Sequence, residues 1–287
     1  MNRILVIGAT GRVGGEVVSE LLAAGLPVRA LTRRPEAAGL PAGVEIVAGD
    51  LTVPESLDAS FQGVGAVFLV WTAPPATAPA VVARLAEHAP RVVLLSSPHQ
   101  TPHPFFQQPN PMAAFHAELE RLMAAARLES TILRPGMFAS NTRLWWAAQI
   151  QQGDVVRWPY GSVETAPIDE RDIAAVAVRA LANDRHIGGD YVLTGPQAMS
   201  QAEQVRAIGD ALGRRLRFVE LSPDEFRREM ADRAPAPVVE MLLNAWHAAS
   251  GHPAFLTSTA ADITGKPART FQQWAADHAD EFRDQFS

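Results

Sequence analysis

A glycine loop set between a strand and a helix constrains this chain more than any other feature. The apolar run Arg3–Ile7 is followed at once by Gly8-Ala9-Thr10-Gly11-Arg12-Val13-Gly14-Gly15, and a helical pattern continues from Arg12 to Ala24. Without side chains, Gly8 and Gly11 let the backbone turn tightly and approach a pyrophosphate. Gly14 lets the helix lie close on the strand, and the helix N-terminus offers unpaired N–H groups and the positive end of a dipole. Gly8, Thr10, Gly11, Arg12, Val13 and Gly14 are therefore expected to hold a dinucleotide.

The rest of the first half supports that context. Apolar runs Val28–Thr32, Val44–Ala48, Ala66–Val70, Val92–Leu95 and Thr131–Leu133 alternate with helical segments near residues 55–61, 78–88 and 112–126. Val-, Ile- and Leu-rich runs without polar alternation read as strands buried on both faces, so the expected fold is α/β, a doubly wound parallel sheet of Rossmann type. Shorter pieces after Pro135 read as crossovers, and from Asp190 strands and helices read as a smaller mixed α/β lobe over the cofactor cleft, the last helix spanning Thr270–Phe286. The expected division is 1–135 for the dinucleotide-binding domain, 136–189 for the crossovers and 190–287 for the cap.

Composition narrows the chemistry. The 287 residues are 47% hydrophobic and 20% charged, the profile of an ordinary globular chain, and a net charge of -6 gives no overall field to hold nucleic acid. Cysteine is absent, which removes thiolate metal sites and cysteine nucleophiles and fits a cytoplasmic setting. No leader is expected before a strand that starts at Arg3. Gly63, Gly65, Pro74, Pro75 and Pro79 break the long uncharged stretch 59–83, so no membrane contact is expected. His99 and His103 lie among prolines that forbid a helix, and no metal site is expected.

The loop has the form GATGxxG. With Gly49-Asp50-Leu51, Ser96-Ser97, His116 and Glu120, and Thr131-Ile132-Leu133-Arg134-Pro135-Gly136-Met137-Phe138 followed by Asn141, the sequence resembles the atypical short-chain dehydrogenase/reductases, in their NmrA-like, NAD(P)H-binding, quinone-reductase-like branch. The resemblance implies that Asp50 and Leu51 sit beside the adenine, and that Val70, Trp71 and Ser96 line the path toward the nicotinamide. Where NAD-specific proteins place an acid after the second strand, this chain has Arg33 and Arg34, whose paired donors suit a 2′-phosphate; NADP(H) is expected in preference to NAD(H). Arg12 can reach that phosphate or the pyrophosphate.

Most of this superfamily uses a Tyr-x-x-x-Lys pair, impossible here because four residues beyond Tyr160 and Tyr191 stand Glu164 and Gly195, and the sole lysine is Lys266. By the spacing the resemblance implies, His116 takes the lysine position, available to bond the nicotinamide ribose or to pass a proton, with Glu120 one turn on to orient it. Phe105, Phe138, Trp145 and Tyr160 are candidates to wall a substrate pocket, and Asn141 either bonds a substrate or caps the helix that begins there. Two functions remain: an NADPH-dependent reductase passing hydride to a quinone-like or conjugated carbonyl small molecule, or a non-catalytic NADP(H) sensor that binds a protein partner. A homo-oligomer is left open.

Overall fold

In the computed structural model, which describes residues 2–89 and 91–283, the first half alternates strands and helices as expected. In order these are β1 (Arg3–Ile7), α1 (Arg12–Ala23), β2 (Val28–Thr32), β3 (Glu45–Ala48), β4 (Val64–Val70), α2 (Ala78–His88), β5 (Val92–Leu95), α3 (Pro111–Ala125) and β6 (Ser130–Pro135). Between β3 and β4, where a helix is expected near 55–61, the chain instead forms tighter 3-10 turns over Pro54–Phe61. There Ser56 Oγ donates to the Val53 carbonyl and Ser60 Oγ to that of Leu57, both at 2.6 Å, and these local bonds compete with the α-helical ladder.

The second half comprises α4 (Asn141–Gln152), β7 (Val155–Trp158), β8 (Glu164–Thr165), α5 (Glu170–Ala182), β9 (Asp190–Leu193), β10 (Met199–Ser200), α6 (Gln201–Leu212), β11 (Arg217–Glu220), α7 (Pro223–Met230), α8 (Ala236–Ala249), α9 (Thr259–Thr264) and α10 (Phe271–Asp277). The expected last helix breaks after Asp277 into a 3-10 turn, Ala279–Phe282, and its end beyond Arg283 lies outside the described residues.

Seven strands form one parallel sheet in the order β3-β2-β1-β4-β5-β6-β9. Because the order reverses between β1 and β4, the crossovers diverge there and leave a crevice beyond the carboxyl ends of both strands. One face of the sheet packs on α1, α5 and α9, the other on α2 and α3. A separate core lies in the second lobe, where Trp146, Trp158 and Trp246 interlock with Phe226 at ring separations of 4.8–6.4 Å. The chain passes repeatedly between these bodies: β9, which starts at Asp190, is a strand of the sheet and α9 packs on it, so position 190 does not separate the cores.

Candidate active site

The glycine loop closes the inner end of the crevice. Gly8 has a φ of 91°, and a Cβ there would lie 2.8 Å from Val70 Cβ; a Cβ on Gly14 would lie 2.1 Å from the Gly8 carbonyl oxygen. The first position therefore needs glycine for backbone conformation and for room, the second for close packing of α1 on the loop. Gly11 precedes α1 at its capping position and offers no side-chain cap, and the first turn carries no acidic residue, which leaves the leading N–H groups for an anion.

A cleft of about 610 Å³ runs outward from this point. It is lined by Gly8, Thr10, Gly11, Arg12, Val13 and Gly14, by Arg33 and Arg34, by Asp50 and Leu51, and by Val70. Phe138, expected at the substrate, lines the same cleft, as do Thr72, Ala73 and Leu95. Thr72 and Ala73 carry no motif of their own in the sequence, although their position directly after a central strand is where such a site borders the chain. Asp50 Oδ1 accepts the Thr52 N–H at 2.8 Å, which with the nearby Arg33 charge holds its carboxyl below the ordinary value. Arg33 and Arg34 are exposed at the rim, and neither guanidinium makes a hydrogen bond or ion pair among the described residues. Arg12 is different: its Nη1 donates to Ser140 Oγ at 2.9 Å, tying the glycine loop to the start of α4. The uncapped helix start, the glycine cradle and two unpartnered guanidiniums together fit a pyrophosphate and a 2′-phosphate.

Several expected residues lie off that cleft lining. Trp71 is buried against Phe115, and its indole N–H donates to the Ala73 carbonyl at 2.6 Å. Ser96 is buried at the end of β5, where its hydroxyl donates to Glu120. Phe105 lines a second cavity of about 20 Å³ with His103, Phe106 and Phe255. Trp145 packs on the second core between Trp158 and Trp246, and Tyr160, at φ 56°, packs beside His247. Asn141 does not cap α4: it is the first helical residue, Ser140 precedes it, and no side chain caps that end.

His116 is buried on the inner face of α3, and burial pulls its pKa down to about 4. The imidazole is thus neutral near pH 7, and its Nδ1 is buried without a partner. Glu120 does not orient it as expected, because Arg134 takes that carboxylate. Arg134 is buried in β6 and donates through Nη1 and Nη2 to the two Glu120 oxygens, each at 2.8 Å, while Nε and Nη2 bond Asp190 of β9 at 2.6 and 2.9 Å. A bidentate guanidinium outcompetes an imidazole that would have to be charged to pair equally well. Neither tyrosine nor Lys266 lines the cleft, and Tyr191 bonds His186 at 2.9 Å. No helix among the described residues is long and apolar enough to cross a membrane.

Comparison with known proteins agrees with this geometry. Residues 8–184 match the family model described as NAD(P)H-binding. The (4-alkanoyl-5-oxo-2,5-dihydrofuran-3-yl)methyl phosphate reductase of Streptomyces griseus is 38% identical over 286 residues, covering 97% of this chain and 99% of that protein. The NAD(P)H azoreductase of Xenophilus azovorans is 33% identical over 287 residues, covering 97% and 99%. The fold is shared with the NADPH-dependent quinone oxidoreductase of Escherichia coli in complex with NADPH, at a TM-score of 0.80 and 22% identity, over 96% of this chain and 99% of the other. The chain belongs to the NAD(P)H-binding family of NmrA-like, atypical short-chain reductases.

Proposed function

We propose that this protein is an NADPH-dependent reductase whose acceptor is a small molecule with a strongly electrophilic conjugated system, a quinone or a carbonyl-conjugated alkene. The observation that carries the cofactor choice is the pair of unpartnered guanidiniums, Arg33 and Arg34, at the rim where an NAD-specific protein would place an acid. Bound there, the cofactor supplies hydride. The first turn of α1 and the glycine cradle would hold its pyrophosphate, Asp50 and Leu51 would flank its adenine, and Phe138 and Val70, which line the same cleft, would wall the site. The acceptor class is supported by the relatives' names: one reduces a dihydrofuranone bearing an alkanoyl group, the other an azo compound. Such acceptors take hydride when held close and in register, and demand less acid assistance than an isolated ketone. That fits a cleft without a tyrosine–lysine pair.

The test is NADPH oxidation followed across quinones, unsaturated lactones, azo compounds and simple ketones, beside a cofactor titration. Turnover is expected with conjugated acceptors and far less with simple ketones. Tight cofactor binding with no turnover on any of them would reject the reductase reading in favour of a cofactor sensor.

A further inference from the structure

The segment from Met137 to Ser140 is built as a short ladder against the start of α5. The Ile168 N–H donates to the Met137 carbonyl and the Ala139 N–H to that of Ile168, both at 2.8 Å, and the Glu170 carboxylate supplies the last rung by accepting the Ser140 N–H at 3.2 Å. Ala139, Ser140, Ile168 and Glu170 are all buried. This segment joins the two lobes, since Phe138 lines the cleft and α4, which begins directly after Ser140, places Trp146 and Ile150 in the second core. Onto its end reaches Arg12, the first residue of α1, whose Nη1 donates to Ser140 Oγ at 2.9 Å. Arg12 lines the cleft too, and its Nε and Nη2 make no hydrogen bond among the described residues, nor is either of them buried. One side of the guanidinium is thus anchored, and two nitrogens remain to donate to an anion without giving up the anchor.

We propose that Ser140, fixed by Glu170, is a positioning residue for the cofactor: it presets Arg12 at the diphosphate, and the bound diphosphate in turn fastens the Phe138 segment and α4 to the glycine loop. This coupling rests on dinucleotide binding in the cleft and not on which acceptor is reduced. A long arginine side chain loses rotamer freedom when an anion immobilises it. Held by Ser140, Arg12 has lost much of that freedom already, so less is lost on binding. By linkage, a diphosphate that orders Arg12 strengthens its bond to Ser140 by an equal factor. The diphosphate, and not the 2′-phosphate, is the partner because Arg12 opens α1, whose leading N–H groups are left for an anion, whereas Arg33 and Arg34 stand after β2 at the rim. In the reductase reading, loading the cofactor firms the Phe138 wall before the acceptor arrives.

Calorimetric titration of NADP+ and NAD+, with no acceptor present, reads the positioning. Arg12→Ala should weaken both cofactors about tenfold. Ser140→Ala should weaken both about fivefold, and the double variant should lose no more than Arg12→Ala alone, because Ser140 acts only through Arg12. Hydrogen exchange reads the return coupling: NADP+ should slow the amides of Asn141, Thr142 and Arg143, none of which lines the cleft, in the wild type and not in Ser140→Ala or Arg12→Ala. Unchanged or tighter cofactor binding in Ser140→Ala, single losses that multiply in the double variant, a loss confined to NADP+, or protection of α4 that survives both substitutions would each overturn the proposal. Should Ser140→Ala fold poorly in a urea melt, Arg12→Ala breaks the same bond from its accessible end, and its exchange pattern decides. If the wild type reduces no acceptor, the reductase reading falls while these measurements stand.

Discussion

Alanine at Arg33 and at Arg34 should erase the preference for NADPH over NADH while leaving NADH affinity nearly intact. Neither guanidinium makes a hydrogen bond or ion pair among the described residues, so a bond to the 2′-phosphate is not offset by the loss of such a contact there. A hydrogen bond to a charged group contributes about 1.5–3 kcal/mol, and exposure at the rim places these at the low end, roughly tenfold in affinity per arginine. The Arg33 charge also acts on Asp50, which offsets part of its gain, so Arg34→Ala should cost at least as much as Arg33→Ala. Calorimetric titration of both cofactors into the wild type and the variants measures this directly, and repetition at higher salt should shrink the preference as exposed charges are screened. Equal losses for NADPH and NADH, or no loss for either, would refute the assignment of these residues to the 2′-phosphate.

Gly14→Ala should cost several kcal/mol in a urea melt and abolish cofactor binding, because its Cβ would lie 2.1 Å from the Gly8 carbonyl oxygen, which the Gly11 N–H holds in the loop at 3.0 Å; near-wild-type stability would contradict the packing. Tyr160→Phe should lower kcat by far less than the 10²–10⁴-fold typical of a lost general acid, since Tyr160 packs on the second core and has no lysine four residues on; a collapse of turnover with cofactor binding intact would show otherwise. His116, with a native pKa of about 4 against an ordinary value of 6.5, refuses a proton that the unfolded chain accepts. Its contribution is therefore full above about pH 6.5 and lost as pH falls toward 4, by about 3 kcal/mol. Urea melts from pH 7 to 4.5 should show a smaller acid loss in His116→Gln than in the wild type, and parallel curves would contradict it.

The glycine loop and the buried strands of the sheet can be read from sequence because each is a local pattern: a spacing of glycines or an unbroken apolar run. What cannot be read depends on residues far apart in the chain. Glu120 shares a helix face with His116, yet its partner is Arg134, which also reaches Asp190, and no spacing reveals that competition. Arg12 is legible as a phosphate ligand, but its bond to Ser140 spans 128 positions. Trp145 and Tyr160 read as pocket walls because aromatic side chains suit both a pocket and a core; only the packing of Trp158 and Trp246 around Trp145 separates the two. The two-residue strands β8 and β10 pair Met199 with Thr165, too short to leave any periodic signal.

The repeated passage of the chain between the sheet and the second core bears on how such enzymes can be re-engineered. Neither lobe is a continuous segment: α4 and β7 precede α5 and β9, and α9 returns to the sheet before α10 leaves it again. Exchanging one C-terminal block with a relative would carry away the seventh strand and, with Asp190, one of the two carboxylates that hold Arg134, while leaving the cleft lining between Ile7 and Phe138 behind. Recombination has to be spliced at each seam where the backbone changes lobes, or confined to point changes on the loops between them.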